Sequence, residues 1–359
     1  MKEHYMPMIL DTNFNKLGVC DTYKSLIWAD RFRESGDFEM TLHPTDPILK
    51  YLLPDNYLIS DYSDHFMIIE GSELDTDAET GEDVIVVTGR SGESIPSRRI
   101  VWGQANYYET VPVIFQSMLN REIIEPSDPS RKIANFSFVN LLPKTYDNTK
   151  IEIQFTGDNL GEAFISIGET FDIGYRISLE DGKFIFYLYN GTDRSYNQTE
   201  NPYIVFSPSY DNLKGSKYLQ SNKTLKTTAL VGGEGEGNTR RYTSIVNSKY
   251  SGLYRRELFV DARDISSEVD GGKLTDAQYI AQLQQRGNEK LSDKINKVTQ
   301  TVSADIIANG NYQYGRDFFM GDIVQVANQY GIEVSARIVE MIHSEDDKGI
   351  VDTPSFTII

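Results

Sequence analysis

The chain has 359 residues, enough for two or three domains, and its 39% hydrophobic and 25% charged residues are typical of a folded protein. The net charge of −18 disfavours binding to nucleic acid or to an anionic membrane, because both depend on Lys and Arg. A single cysteine, Cys20, excludes an intramolecular disulfide and a zinc site made of cysteines.

Aromatic residues and charge distribution add two further expectations. The 22 Tyr and 17 Phe favour β structure, because such rings pack well on pleated surfaces. Residues 1–100 contain nine Lys/Arg and nineteen Asp/Glu, a net charge of −10. This excess indicates either a solvated surface or a face that repels a polyanion. The sequence shows no signal peptide and no apolar run of about 20 residues, so we expect synthesis in a cytoplasm.

Residues 1–100 are predicted to form a first small β-barrel from short strands and turns. We expect residues 75–83 to be a long hairpin tip, and Trp28 and Phe38 to be buried in the barrel, with an interface anchor as the alternative role. The predicted strands are residues 8–10, 19–23, 25–29, 38–42, 57–60, 65–70 and 83–88.

Residues 101–205 are predicted to form an α+β domain. Thr110 is placed to cap a helix over residues 111–120, and Asn159, with Glu162 three positions later, indicates the start of a second helix. Residues 174–179 and 183–189 alternate around Asp181-Gly182, a strong signal for a β-hairpin.

Residues 206–264 and 300–359 are predicted to form a second β-barrel, interrupted by a helical insertion at residues 265–299. In the insertion, Thr275 and Gln278 form a capping box. The overall fold class is therefore mainly β with α+β parts, two small barrels flanking an α+β region. The expected strands of the second barrel are residues 224–231, 239–246, 255–260, 302–307, 323–327, 334–342 and 354–358.

The sequence offers no local catalytic motif. The four histidines, His4, His43, His65 and His343, are scattered and none has a neighbour at metal-ligand spacing. Cys20 lies in an apolar run beside Asp21, which raises a thiol pKa, so we interpret it as a buried, inert thiol.

Three further segments resemble functional loops only superficially. Residues 91–94 (SGES) are interpreted as a polar turn after a strand. Asp75, Asp77 and Glu79 with Gly81 lack the Gly and Glu positions of a calcium-binding EF-hand, and are interpreted as a solvated hairpin tip. Residues 232–237 (GGEGEG) carry two glutamates and precede a strand, so a flexible hairpin loop is favoured over a phosphate loop. We therefore predict no catalytic, cofactor-binding or metal-binding residues.

Motifs at both ends of the chain resemble the Gp37-like tail proteins of siphoviruses, a family that includes the N-terminal part of tail-associated lysins. The resemblance covers nearly the whole chain and identifies a fold rather than a chemistry. It is carried by residues 9–11 (ILD), 17–18 (LG), 23–28 (YKSLIW), 31–32 (RF), 36–42 (GDFEMTL), 255–264 (RRELFVDARD), 314–324 (YGRDFFMGDIV) and 337–338 (RI).

The resemblance implies a hub similar to that of contractile tails. Three copies would form a ring of six barrels that closes the tail tube and adapts a sixfold tail to a threefold tip. The implied partners are two further copies of the chain, the distal tail protein and other tail-tip components, with DNA passing without specific binding and no membrane. The protein would be assembled in the host cytoplasm and located in the virion.

Two alternative functions stay open at this point. Many relatives carry a C-terminal lysin or receptor-binding module, but this sequence ends at Ile359, so a peptidoglycan-cleaving activity is not implied. A cell-wall-degrading enzyme would need a cleft of convergent carboxylates or a metal. A receptor- or carbohydrate-binding module is the second alternative, because aromatic strands such as residues 184–189 can stack on sugars.

Overall fold

The computed structural model describes residues 4–76, 81–269, 272–293, 299–306, 311–327 and 333–359, without the side chains of residues 214–220 and 299–306. Strands dominate the described chain, which confirms the mainly β fold class. The strands are β1 (Met8–Leu10), β2 (Lys16–Val19), β3 (Ser25–Arg31), β4 (Asp37–Leu42), β5 (Tyr57–Ser60), β6 (Ser63–Thr76), β7 (Asp83–Ser91), β8 (Gln104–Thr110), β9 (Phe136–Asn140), β10 (Lys150–Thr156), β11 (Gly174–Glu180), β12 (Lys183–Tyr189), β13 (Val205–Phe206), β14 (Leu213–Ser221), β15 (Thr228–Gly232), β16 (Tyr242–Val246), β17 (Glu257–Asp261), β18 (Glu268–Val269), β19 (Gly272–Lys273), β20 (Thr299–Ile306), β21 (Ile323–Ala327), β22 (Glu333–Asp346) and β23 (Gly349–Ile358).

In the described ranges, three α-helices lie between the strands: α1 (Val111–Leu119), extended by a π-helical turn over Asn120–Ile124, α2 (Leu160–Phe171) and α3 (Asp276–Ser292). The capping box of α3 is present as predicted, with the Thr275 and Gln278 side chains each accepting from the other's backbone N–H. At α2 the Asn159 side chain accepts from Glu162 N. Thr110 occupies the N-cap position of α1, as predicted, but its side chain makes no capping hydrogen bond.

The chain divides into two compact units. The first contains residues 1–94, 174–219 and 300–359, and the second contains residues 95–173 and 220–299. The first unit is built on one continuous sheet in the order β14-β20-β23-β22-β3-β4-β7-β6-β5-β1-β2, with β21 pairing β22 and β13 pairing β21. Strands from the two ends of the sequence are therefore neighbours, since β22 pairs β3 in antiparallel register.

Two hydrophobic clusters lie on this sheet. The first gathers side chains from β1 to β7, and Trp28 and Phe38 pack in it, 0% and 2% exposed. The burial predicted for both residues is therefore confirmed. The second cluster gathers Phe206, Ile338, Met341 and Phe356 with Phe32, which follows β3 directly. The long strand β22 pairs β3, and its Ile338 and Met341 enter the second cluster.

The hairpin β11–β12 belongs to the same unit and has the predicted turn. Asp181 and Gly182 both have positive φ, at 48° and 71°, as the two central residues of a tight hairpin require. Phe184, Phe186 and Leu188 are buried, so one face of β12 is core.

The second unit contains all three α-helices. Strands β8 and β10 pair along their whole length, and the rings of Phe115 in α1 and Phe164 in α2 stack with centroids 4.7 Å apart. Strand β15 pairs β16 antiparallel and β17 parallel, and Ala229 and Val231 of β15 form a core with Leu283 of α3.

These two units group the segments differently from the predicted four-part division, which stays a prediction. Residues 228–261, expected beside residues 300–359 in one barrel, pair with each other in the second unit, with α3 packed on them. The physical reason is that α3 shares an apolar face with β15 and β17, and local periodicity does not reveal which strands a helix covers. The strand β6 also runs to Thr76, into the predicted hairpin tip; residues 77–80 lie outside the described residues.

Candidate functional site

Buried polar side chains concentrate in the first unit. His65 of β6 lies with its Nδ1 2.9 Å from Glu93 Oε1, and the two side chains are 3% and 0% exposed. Glu93 Oε1 also accepts a hydrogen bond from Ile177 N of β11, at 2.6 Å. The Glu93 carboxylate therefore links strand β6, the turn that follows β7, and strand β11.

The charges of this pair follow from its surroundings. Burial lowers the pKa of His65, but the carboxylates of Glu93 and Asp30 outweigh it and raise the pKa to about 9. Burial raises the pKa of Glu93, and the opposing effects of the His65 charge and hydrogen bonds leave that pKa below its usual range. At neutral pH the pair is therefore ionic, and it stabilises the packing of three elements.

A second buried chain of hydrogen bonds joins β22 to β23. His343 Nδ1 lies 2.7 Å from Asp352 Oδ1, its directly paired residue, and Tyr5 OH donates to the same oxygen at 2.8 Å. Burial and Asp352 raise the pKa of Tyr5 far above its usual range, so this phenol stays protonated and donates. Nearby, buried Asp30 accepts from Trp28 Nε1 and Ser63 Oγ at 2.9 and 2.7 Å.

The other candidate residues, Cys20, His4 and His43, have surroundings that indicate structural roles. Cys20 is fully buried, and burial together with Asp46 and Asp21 raises its thiol pKa to about 12, in agreement with an inert thiol. The exposed His4 contacts the Glu345 carboxylate, and His43 Nδ1 lies 2.8 Å from Thr45 Oγ1.

Residues 91–94 form a polar turn after a strand, as interpreted, but the turn is buried rather than solvated. Ser91 ends β7, and Gly92, Glu93 and Ser94 form a buried 3-10 turn. Sequence reasoning missed Glu93 because its partner His65 is 28 residues away. Sequence reasoning also missed Asp352. His343 and Asp352 face each other on the two strands of one hairpin, and polar residues at such positions indicate a cross-strand pair.

The glycine-rich segment 232–237 lies in the hairpin loop between β15 and β16, as predicted, and hydrogen bonds hold its backbone. Arg240 donates to the carbonyls of Gly232 and Gly233, and Glu234 N donates to Tyr279 OH of α3 at 2.7 Å. A Cβ on Gly233 would lie 2.3 Å from that hydroxyl oxygen, which explains the glycine. Of the candidate calcium loop, Asp77 and Glu79 lie outside the described residues.

The first terminal motif has a structural role at Gly36-Asp37. A Cβ on Gly36 would lie 1.9 Å from the Ala29 carbonyl oxygen, so β3 and β4 meet here only with glycine. Asp37 binds Arg31 at 2.9 Å, and Arg31 Nε binds Glu340 Oε1 at 2.9 Å. Arg31 thus ties β4 and β22 to β3.

The motif residues near the C-terminal end, 314–324 and 337–338, hold the segment after β12 in place. Asp322 accepts from Thr192 N at 2.7 Å and from Arg194 Nε at 2.8 Å, and burial raises its pKa against the opposing effect of Arg194. Arg337 donates to the carbonyls of Asn190 and Gly321, and its guanidinium lies 5.0 Å from the centre of the Phe32 ring. The motif residues therefore build the second core rather than a reaction centre.

The second unit contains a buried acid with a raised pKa, Glu289. Glu289 of α3 is 4% exposed, and burial raises its pKa to about 7 against the opposing effect of Arg286. Within the described ranges, no three or more His, Cys, Asp or Glu side chains are grouped as metal ligands would be. No helix in the described part of the chain is long and apolar enough to span a membrane.

Solved structures of tail proteins share this fold over nearly the whole chain. The 43 kDa tail protein of prophage MuSo2 from Shewanella oneidensis has a TM-score of 0.60 at 12% identity, covering 98% of each chain. The tail protein from Neisseria meningitidis MC58 has a TM-score of 0.57 at 12% identity, covering 98% of this chain and 96% of that one. Prophage tail protein gp18 from Listeria monocytogenes EGD-e has a TM-score of 0.54 at 12% identity, covering 98% and 94%. The fold class is that of phage and prophage tail proteins.

Sequence similarity is more specific than the fold. Residues 6–356 match the family described as Siphovirus ReqiPepy6 Gp37-like protein, and the chain belongs to that family. The resemblance read from the terminal motifs is thereby confirmed. No curated protein matches the chain.

Proposed function

We propose that this chain is a structural protein of a phage or prophage tail tip. It forms a homotrimeric baseplate hub that closes the tail tube and adapts a sixfold tail to a threefold tip. The observation that carries this proposal is the match of fold to tail proteins over 98% of this chain and nearly all of theirs, within the Gp37-like family. Its partners are the distal tail protein and other tail-tip components, and its location is the virion, after assembly in the host cytoplasm.

We propose further that the protein is not an enzyme. Its two buried histidine–carboxylate pairs connect strands inside the core, with side chains that are 0–10% exposed and do not line an open cleft. A general acid or base must reach a substrate proton. A tail lysin is the alternative, and it would require a constellation that these buried pairs do not supply.

The second alternative, a carbohydrate- or receptor-binding role, rests on the aromatic strand at residues 184–189. Phe184 and Phe186 of this strand are 5% and 0% exposed, and Phe184 stacks on Phe66 within the first unit. Aromatic side chains that bind sugars need open faces, so the core role explains these residues better.

Multi-angle light scattering of the purified chain tests the hub. We expect a mass three times the 40.8 kDa of the monomer. Mixing with the distal tail protein of the same phage should then give a ring in electron micrographs. A monomer at micromolar concentration would contradict the proposal, and hydrolysis of purified peptidoglycan would favour the lysin.

A further inference from the structure

The three-stranded sheet of the second unit has one covered and one open face. Ala229, Val231 and Val260 point to α3 and are buried. The strand register places Leu230 beside Ser244 and Phe259, and the neighbouring positions of β16 on that side are Tyr242 and Val246. We call Leu230, Tyr242, Val246 and Phe259 the outer face.

The outer face is apolar and exposed to an unusual degree. Its four side chains are 46–53% exposed, and the loop that leads into β17 adds Leu253 and Tyr254 at 91% and 73%. A contiguous exposed apolar patch rimmed by polar residues marks an interaction surface, whereas single exposed apolar residues need no explanation. A binding partner would remove this area from water.

The charge around the outer face is opposite to that of the rest of the protein. Residues 220–263 contain eight Lys/Arg and four Asp/Glu, a net charge of +4, while the other residues contain 27 Lys/Arg and 49 Asp/Glu, a net charge of −22. Arg240 lies over the rings of Tyr242 and Phe259, at 5.6 and 5.5 Å. The two carboxylates on this side are already paired, Glu257 with Arg255 and Asp261 with Arg240 and Arg263.

A second copy of the chain offers the complementary surface. The outer halves of β6 and β7 form an exposed acidic arm that carries Glu73, Asp75 and Asp83, and Leu74 between the first two is 63% exposed. The strand register places Leu74 on the same face of the arm as Asp83, and Glu73 and Asp75 on the other face. An exposed apolar side chain beside a carboxylate matches an apolar face flanked by arginines.

We propose that the outer face of one copy binds the acidic arm of the next copy. The contact joins two different surfaces, so it is heterologous and generates a closed ring when the rotation between copies closes. The inference rests on the proposed function for the ring itself and adds which surfaces hold it together.

Aspartate substitutions in the outer face test the contact by light scattering and sedimentation. We expect Phe259→Asp to weaken self-association by about 30-fold or more, the range of a central interface residue. The control is Leu141→Asp, an equally exposed apolar residue of the same unit, 54% against 53%, which should leave self-association unchanged. Both variants should keep the wild-type far-UV circular dichroism spectrum and unfold cooperatively, which separates loss of binding from loss of folding.

Charge reversal gives an independent test. Asp83→Lys should weaken the assembly, as should Arg255→Glu with Arg256→Glu, and mixing the two variants should restore a contact between unlike copies. A wild-type trimer that stays trimeric in all of these variants would overturn this inference and leave the hub proposal standing. A wild-type monomer would overturn both.

Discussion

His65 and Glu93 form an ion pair at 2.9 Å in the interior of the first unit, and Glu93 also accepts from Ile177 N. We expect His65→Ala to destabilise the protein by about 3–5 kcal/mol, because it leaves a buried carboxylate without its partner. Replacing both residues in His65→Leu/Glu93→Leu should cost less than the single substitution, since no charge is then stranded. Urea unfolding of the two variants and the wild type measures the difference. Equal losses in both variants would contradict the pairing.

The same pair predicts a pH dependence of stability. The pKa of His65 is about 9 in the folded state and near 6.5 when unfolded, so the folded state binds the proton more tightly. Its contribution is complete below about pH 6.5 and is lost as the pH rises through 9. Wild-type stability should fall over this window relative to the His65→Leu/Glu93→Leu variant. Parallel pH profiles of the two proteins would contradict the assignment.

Glu289 predicts a second pH range, below that of His65, over which the stability of the protein changes. Its folded-state pKa of about 7 lies above the unfolded value near 4.3, so the folded state keeps a proton that the unfolded state has lost. Its contribution to stability therefore falls as the pH rises from about 4.3 to about 7. We expect Glu289→Gln to stabilise the protein by about 1–3 kcal/mol at pH 8 and by little at pH 4. Denaturant unfolding at the two pH values checks this, and a variant less stable than wild type at pH 8 would refute it.

Truncation of the Trp28 side chain should cause a large loss of stability. The side chain is 0% exposed, and its Nε1 donates to Asp30. We expect Trp28→Ala to cost about 3–5 kcal/mol from the lost burial and the cavity together. Trp102 is 63% exposed, so Trp102→Ala is the matched control and should cost less than about 1 kcal/mol. Thermal unfolding compares the two, and similar losses would argue against the core role of Trp28.

The acidic charge of residues 1–100 predicts the character of the hub channel. If residues 1–100 line the ring, an acidic lumen would let DNA pass, whereas a basic one would bind its phosphates. Screening acts over about 8 Å at physiological salt, so only acids close to the DNA would contribute. A cryo-EM structure of the assembled hub should show a net negative lumen with acids from residues 1–100. A neutral or positive lumen, with those acids on the outer rim, would leave them a role in solubility only.

Local signals predicted local structure well. The capping box at Thr275 and Gln278 placed the start of α3, and Asp181-Gly182 placed the β11–β12 turn, because both depend on residues a few positions apart. The sequence did not show that α3 covers β15 and β17, nor that Glu93 binds His65. Such contacts depend on how distant segments meet, and an apolar stripe or a single acid is compatible with many partners.

The pairing of β3 with β22 has a consequence for synthesis. Arg31 and its partner Glu340 are 309 positions apart, so at about 5–20 residues per second the ribosome needs about 15–60 s to supply the second strand after the first. During that time one edge of β3 has no partner, and an open strand edge is a template for aggregation. The fold therefore has a high contact order, and the first unit cannot close until translation has passed β22. Any relative that lengthens the segment between these strands prolongs the vulnerable interval of its nascent chain.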